Sequence, residues 1–337
     1  KYMSAINKFN KSRRRILKII GISTIGVVAG SVFVKLQNNS PLKKVTWNGI
    51  SLGSQAEITI YHHNEKEAKY ILKNSVKKLS HLENIFSIYK DESQLSILNK
   101  NGYINNPDIE MIKLLNLSKK YSKITNGAFD ITVQPLWNIY NESFTNYGRP
   151  PSDKQISTAL SLVDWQSIKI AKDKISYAKE GMSSTLNGIA QGYITDRIAE
   201  NLIDAGISNT LVQLGEYRGI GDHPDGRPWR LLLSNPEHTE SIGQLEFIDA
   251  AVATSAGLGT PFDLSGKYHH IFNPENGLST NKYLQVSVTS KTAAEADALA
   301  TAFLVLDQKK SEKIAKDLKV GFEILDNQRK RNIISTL

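Results

Sequence analysis

Asp297 and Thr301 stand four residues apart in the run TAAEADALATAFLVL, residues 292–306. If the run is helical, both side chains fall on one face. A carboxylate and a hydroxyl so placed offer two hard oxygen donors, which suits Mg²⁺ held partly by phosphate oxygens. The alternative is an alanine-rich helix packed closely on a sheet, with Asp297 paired to a base. Spacing alone favours that alternative. Thr292 and Glu295 have the form of a capping box that would start the helix.

A second run, Asn187 to Asp196, reads NGIAQGYITD. Glycines at a helix start let backbone approach a ligand, and the free N–H groups and dipole there favour anions. Glycines for close packing are the competing reading, and neither GxGxxG nor a P-loop is present. In TNGAFDITVQPL, residues 125–136, a turn at Asn126-Gly127 is expected to feed an extended run. Asp130 would accept hydrogen bonds from a ligand or satisfy turn backbone. Tyr89, in FSIY before DESQL and Asn99, could stack on a flat heterocycle or simply pack. His269 and His270 are adjacent. If Tyr268 to Phe272 is extended, their side chains point to opposite faces and cannot share a metal. One is then a candidate general base beside a phosphate site and the other a structural neighbour.

The elements that must position these groups follow from periodicity. Ser54 to Tyr61 alternates as a half-buried strand. Ala68, Ile71, Leu72, Val76, Leu79 and Leu82 recur at helical spacing, and Asp108 caps a second amphipathic helix. Ile168 to Tyr177 reads as a hairpin around Lys172-Asp173. A helix from about Ile189 stops at Gly206. Strands are expected at Thr210–Leu214, Trp229–Leu233, Gln244–Ile248, Tyr268–Phe272, Leu284–Thr289 and Phe322–Leu325. Helices are expected at Thr292–Leu306 and Ser311–Leu318. Without strict βαβ alternation the class is α+β. Residues 1–44 form a targeting segment with its linker, and 45–337 one globular unit with a cleft.

Composition narrows the partners. The formal charge of +9 invites a nucleic-acid reading. Ten of the 42 Lys/Arg lie in residues 1–44, where no acid occurs, so 32 basic and 33 acidic residues remain. The body is therefore near neutral and lacks a phosphate-backbone face, which points to no nucleic-acid partner. Ser12-Arg13-Arg14-Arg15-Ile16-Leu17-Lys18 matches a twin-arginine export pattern. The uncharged stretch Ile19 to Val34 suits a signal h-region better than a spanning helix, which needs roughly 20 apolar residues. Periplasmic location is expected; an uncleaved segment would leave the chain anchored to the membrane. The absence of cysteine excludes disulfides, thiolate metal sites and a thiol nucleophile.

Taken in order, the motifs resemble the ApbE family of FAD:protein FMN transferases. They are LGS at 52–54, FSIY with DESQL and Asn99, TNGAFDITVQPLW at 125–137, NGIAQGYITD at 187–196, LVQLGE at 211–216, GRPWRL at 226–231, VATSAG at 252–257, YHHIFNPENG at 268–277 and ADALATA at 296–302. The resemblance implies mixed α+β, T-fold-related sheets with helices around a flavin cleft. It also implies Mg²⁺-dependent transfer of FMN from FAD to a Thr or Ser hydroxyl of an acceptor flavoprotein, with release of AMP. By the same resemblance Asp297, Thr301 and the Gly188 carbonyl would hold Mg²⁺. Leu52, Tyr89, Ala128, Phe129, Asp130, Gln191 and Ile271 would line the FAD site, and His270 would be the general base. LGEYRGIGDHPDGRPW and SAGLGTPF resemble the NosX-like branch serving nitrous-oxide reductase maturation, which implies a NosR-like, FMN-carrying membrane acceptor.

Three departures touch the expected site. Where many relatives read D-L-G-G-I-A-K-G, this chain has Thr185 for the acid, Asn187 for a glycine and Gln191 for the lysine. The acid contacts FAD in the resembled pattern, so Thr185 is expected to shift affinity. Gly-Gly-Asp is replaced by Gly215-Glu216-Tyr217, and Ser-Gly-Asp-Tyr by Ser255-Ala256-Gly257-Leu258. Two other activities fit the same residues: FAD storage without catalysis, and an FAD pyrophosphatase in which water replaces the acceptor.

Overall fold

The computed structural model describes residues 41–335 apart from His238. The residues expected to form an export segment, Ser12 to Val34, lie outside the described residues. Among the described residues no helix is long and apolar enough to cross a membrane.

The fold is built on an eight-stranded sheet in the order β1-β2-β6-β7-β10-β11-β12-β13. These strands are Lys43–Ser51, Ser54–His62, Thr210–Gln213, Tyr217–Ile220, Ala251–Ala256, Gln285–Ser290, Gly321–Leu325 and Arg331–Ser335. Every neighbouring pair is antiparallel. β1 starts at Lys43, so the sheet takes in the last two residues assigned above to the linker. A two-residue turn joins β1 to β2, with Leu52 at φ 44° and Gly53 at φ 81°. Positive φ at both central residues matches the twist of a tight hairpin. A small sheet, β3-β5-β4, comprises Tyr103–Asn105, Lys174–Tyr177 and Ile168–Ile170. A separate hairpin pairs β8, Trp229–Ser234, with β9, Ser241–Phe247.

Three helices pack between this sheet and the outer helices: Glu65–Phe86, Ala190–Asp204 and Ala293–Val305. The first begins where Asn64 accepts hydrogen bonds from the amides of Lys66 and Glu67. Its buried stripe, Ala68 through Phe86, follows the helical period. Ala293–Val305 is different, with 11 of its 13 residues buried. A helix enclosed on all sides must be apolar all round, and any polar group in it needs a partner. Alanine and glycine permit the close approach. A Cβ at Gly192 would meet the Ala293 carbonyl oxygen at 2.2 Å.

The N-terminus of Ala293–Val305 is fixed by buried Asp196. Its carboxylate accepts from Arg218 Nη1 at 2.7 Å and from the amides of Ala293 at 2.8 Å and Ala294 at 2.9 Å. Asp196→Ala would leave the Arg218 charge and two amides uncompensated. Loss of about 3–5 kcal/mol of unfolding free energy is expected. A urea titration checks this, and a loss below about 1 kcal/mol would show that another group anchors the helix.

Three local expectations are corrected. The Thr125–Leu136 run is not extended: it forms turns, a 3₁₀ segment Ile131–Val133 and then the helix Gln134–Tyr147. Asp130 caps the 3₁₀ turn, and Pro135 sits in the first helical turn, where its missing N–H costs nothing. Tyr268 to Phe272 is not a ladder strand. It has isolated bridges, Pro261 to His269 and Phe272 to Ser279. Its backbone pairing is intermittent, as in Phe262 N to Tyr268 O and Thr280 N to Ile271 O, and side chains serve other amides: Ser279 Oγ accepts from His269 N and Asp263 Oδ1 from Tyr268 N. The capping box is half made, since Thr292 Oγ1 accepts from Glu295 N. The Glu295 carboxylate turns instead to Ser290 Oγ and the Tyr121 hydroxyl.

Candidate active site

One cleft of about 1450 Å³ gathers chemistry from distant parts of the chain. It is walled by the start of β2, the β6–β7 turn, β10 and the loop after it, the Ala190–Asp204 helix start and the Ala293–Val305 helix. Asp297, Thr301 and Gly188 line it, as does His270. So do Tyr89, Ala128, Phe129, Asp130, Thr185, Gln191 and Ile271. Leu52 is the exception. It is buried in the β1–β2 turn, donating its amide to Glu83 Oε1 at 2.7 Å, while Ser54 and Gln55 beside it face the cleft.

Asp297 is 4% exposed, and its Oδ2 accepts from Gly192 N at 3.1 Å. Thr301 Oγ1 lies 3.2 Å from Ser255 Oγ. A Cβ on Gly188 would come 2.9 Å from Thr301 Oγ1, so only glycine lets this backbone sit against the hydroxyl. One carboxylate and one hydroxyl are hard donors, and the Gly188 backbone sits against the hydroxyl. No group of three His, Asp or Glu that could hold a metal occurs among the described residues. Such a set is poor for zinc and fits Mg²⁺, which relies on substrate phosphates and water for its other positions.

The adjacent histidines do different work. His269 is buried; its Nε2 lies 2.6 Å from the Thr280 carbonyl oxygen, and its Nδ1 accepts from Ile271 N at 3.3 Å. A carbonyl only accepts, so Nε2 carries the proton. Both ring nitrogens are engaged, and burial lowers the pKa, keeping the ring neutral. His270 Nδ1 lies 3.3 Å from the Thr260 carbonyl oxygen. The same logic puts the proton on Nδ1 and directs the basic lone pair to Nε2. His270 lines the cleft and His269 does not.

Asp130 serves the turn. Oδ1 accepts from Thr132 N at 2.7 Å and Thr132 Oγ1 at 2.6 Å, and Oδ2 from Trp165 N at 3.2 Å. Burial raises its pKa to about 6 despite these bonds. Asn99 is a staple: its Oδ1 accepts from Ser184 N and Tyr177 Oη, fixing the strap that leads to Gly188. Gln191 donates to Ser54 Oγ at 2.6 Å.

Several lining residues were given no place in the site by the sequence. Ser255 touches Thr301, and Glu216 accepts from Thr254 N at 3.2 Å. The β8–β9 hairpin tip brings Glu237 and Glu240 to the rim. A polar surface turn has no periodicity that aims it at a site. The replacements at Glu216 and Ala256 were visible as departures, but not their places on the wall.

An antiparallel α+β scaffold with hard oxygen donors and an oriented imidazole in one large cleft defines a protein built to handle a phosphate-bearing ligand. The chain belongs to the ApbE family, whose model matches residues 52–325. It is 28% identical over 315 residues to the FAD:protein FMN transferase of Haemophilus influenzae, covering 86% of this chain and 89% of that one. It is 27% identical over 301 residues to the protein of the same name from Vibrio cholerae, covering 86% and 89%. The structure of the ApbE protein of Thermotoga maritima superposes with a TM-score of 0.76 at 25% identity, covering 86% of this chain and 97% of that one. The flavin transferase ApbE of Vibrio cholerae gives 0.75 at 24%, covering 88% and 98%. The α+β class expected from the sequence is the one observed.

Proposed function

We infer that this chain is an FAD:protein FMN transferase that uses FAD as substrate and Mg²⁺ as its metal. The observation that carries the reading is the meeting of Asp297, Thr301, Gly188 and His270 in one cleft, on a chain of the ApbE family. A Thr or Ser hydroxyl of the acceptor attacks the phosphorus of the FMN half. The new O–P bond forms as the bond to the AMP phosphate breaks. His270 Nε2 takes the hydroxyl proton, while Thr260 holds the ring in the required tautomer. Asp297, Thr301 and the Gly188 carbonyl would hold Mg²⁺, which when bound neutralises charge on the diphosphate. Ser255 and Gly192 orient two of those donors. The Tyr89 ring, 54% exposed, is available for stacking on a flat ring.

Purified protein with FAD, Mg²⁺ and an acceptor should yield the acceptor with FMN on a Thr or Ser, seen as a mass gain. AMP and free FMN without acceptor would indicate a pyrophosphatase instead. FAD left intact with a competent acceptor would indicate storage.

The acceptor we propose is a NosR-like membrane flavoprotein of nitrous-oxide reductase maturation. Support comes from the sequence LGEYRGIGDHPDGRPW and from SAGLGTPF, whose Leu258 to Thr260 line the cleft. Co-expression with that acceptor should give it bound flavin; an unmodified acceptor would remove the branch assignment. We also propose periplasmic location by the twin-arginine route, supported by Ser12 to Lys18. Export should stop in the double variant Arg13→Lys, Arg14→Lys, as followed by cell fractionation; continued export would sink it.

A further inference from the structure

We propose that this chain binds FAD only together with the divalent cation, because among the described residues no lysine or arginine lines the cleft to meet the diphosphate. The inference rests on the transferase reading above. Among the described residues, five carboxylates line the cleft, those of Asp130, Glu216, Glu237, Glu240 and Asp297, and no Lys or Arg does. The nearby guanidinium groups are engaged elsewhere. Arg329 grips Glu237 from the C-terminal hairpin at 2.5 and 3.2 Å, and Arg218 is held by Asp196 behind the metal-facing helix.

At the helix start facing the cleft, three backbone amides are already engaged. The amides of Ile189 and Ala190 donate to the Leu186 carbonyl, and that of Gly192 donates to Asp297. At the next position Gln191 is neutral and tied to Ser54. Its side chain packs so closely on Gly215 that a Cβ there would fall 2.5 Å from Gln191 Nε2.

A dinucleotide diphosphate carries two negative charges. Placing them beside Asp297 in a partly dehydrated cleft is repulsive unless positive charge enters with them. A divalent ion on Asp297, Thr301 and Gly188 reverses the sign at that point. Metal and FAD then bind as a coupled pair, each raising the affinity of the other by the same factor.

The test is FAD binding, not turnover. FAD is titrated into the full chain by fluorescence quenching and calorimetry, in Mg²⁺ or in EDTA at matched ionic strength. EDTA is expected to weaken FAD binding by about 100-fold or more. Gln191→Lys should recover at least about 10-fold of that loss in EDTA. Should the lysine disturb folding, Asp297→Asn reads the same charge balance with little change of shape. It should bind FAD more tightly than the parent in EDTA and respond little to Mg²⁺. Equal affinity in Mg²⁺ and EDTA would overturn the coupling and leave the transferase reading standing. So would an undiminished Mg²⁺ response in Asp297→Asn. Folded protein that binds no FAD in either buffer would overturn both.

Discussion

Asp297→Ala is expected to lower flavin transfer by about 10³-fold or more, below detection of the acceptor's mass gain in an ordinary assay. Among the three donors that meet at the proposed metal position, Asp297 alone brings a formal charge. Thr301 and the Gly188 carbonyl contribute dipoles, which hold a divalent ion weakly by themselves. The carboxylate also serves as acceptor for the buried Gly192 amide, 3.1 Å away. Alanine would orphan that N–H at a cost of about 1–3 kcal/mol, so some loss of stability accompanies the loss of activity. Asp297→Asn separates the two effects. Its amide oxygen can still accept from Gly192, so the unfolding midpoint should stay near the parent's while transfer remains lost. A folded asparagine or alanine variant with parental transfer rates would remove Asp297 from the metal site.

His270→Ala is the second large effect. Transfer should slow by about 10²–10⁴-fold, the usual contribution of a positioned general base. FAD affinity should change by no more than about 3-fold, because the imidazole acts on the acceptor's proton rather than on the dinucleotide. Single-turnover transfer beside equilibrium FAD binding checks both halves. Loss of FAD binding with the loss of transfer would make His270 a ligand contact instead of a base. The neighbouring His269 gives the contrast. Its ring bridges Thr280 and Ile271, and a Cβ on Gly257 would come 2.5 Å from its Nε2. Replacing it should perturb folding of the loop, not proton transfer alone.

The electrostatics of the cleft link these two residues to the departures in sequence. Gln191 and Glu216 stand on its wall: the first lacks the positive charge of the lysine-bearing pattern, while the second adds an acid beside Tyr217, where the pattern has one. The three donors proposed for the metal, Asp297, Thr301 and Gly188, are not among those changes.

Much of the local structure was legible. The alanine-rich run gave a helix, Ala293–Val305, with Asp297 and Thr301 on one face, because i and i+4 must share a face in any α-helix. Gly206 ended the preceding helix at φ 83°, as a residue free of Cβ strain does. Where the reading failed, a local competitor won. The turn at Asn126-Gly127 was expected to feed an extended run, but Asp130 and Pro135 are turn and helix-start residues and prevailed.

By itself the sequence determined the donors, their spacing within each element, the α+β class and the order of motifs that marks the family. Only the tertiary structure decided which histidine faces the cleft, that Gly188 abuts Thr301 across 113 positions of chain, that Leu52 turns inward, and that no Lys or Arg among the described residues lines the wall. The division has one physical reason. Periodicity and capping are set by neighbours within a few residues, whereas a cleft is made by packing between segments far apart, and its charge is the sum over side chains that no local pattern brings together.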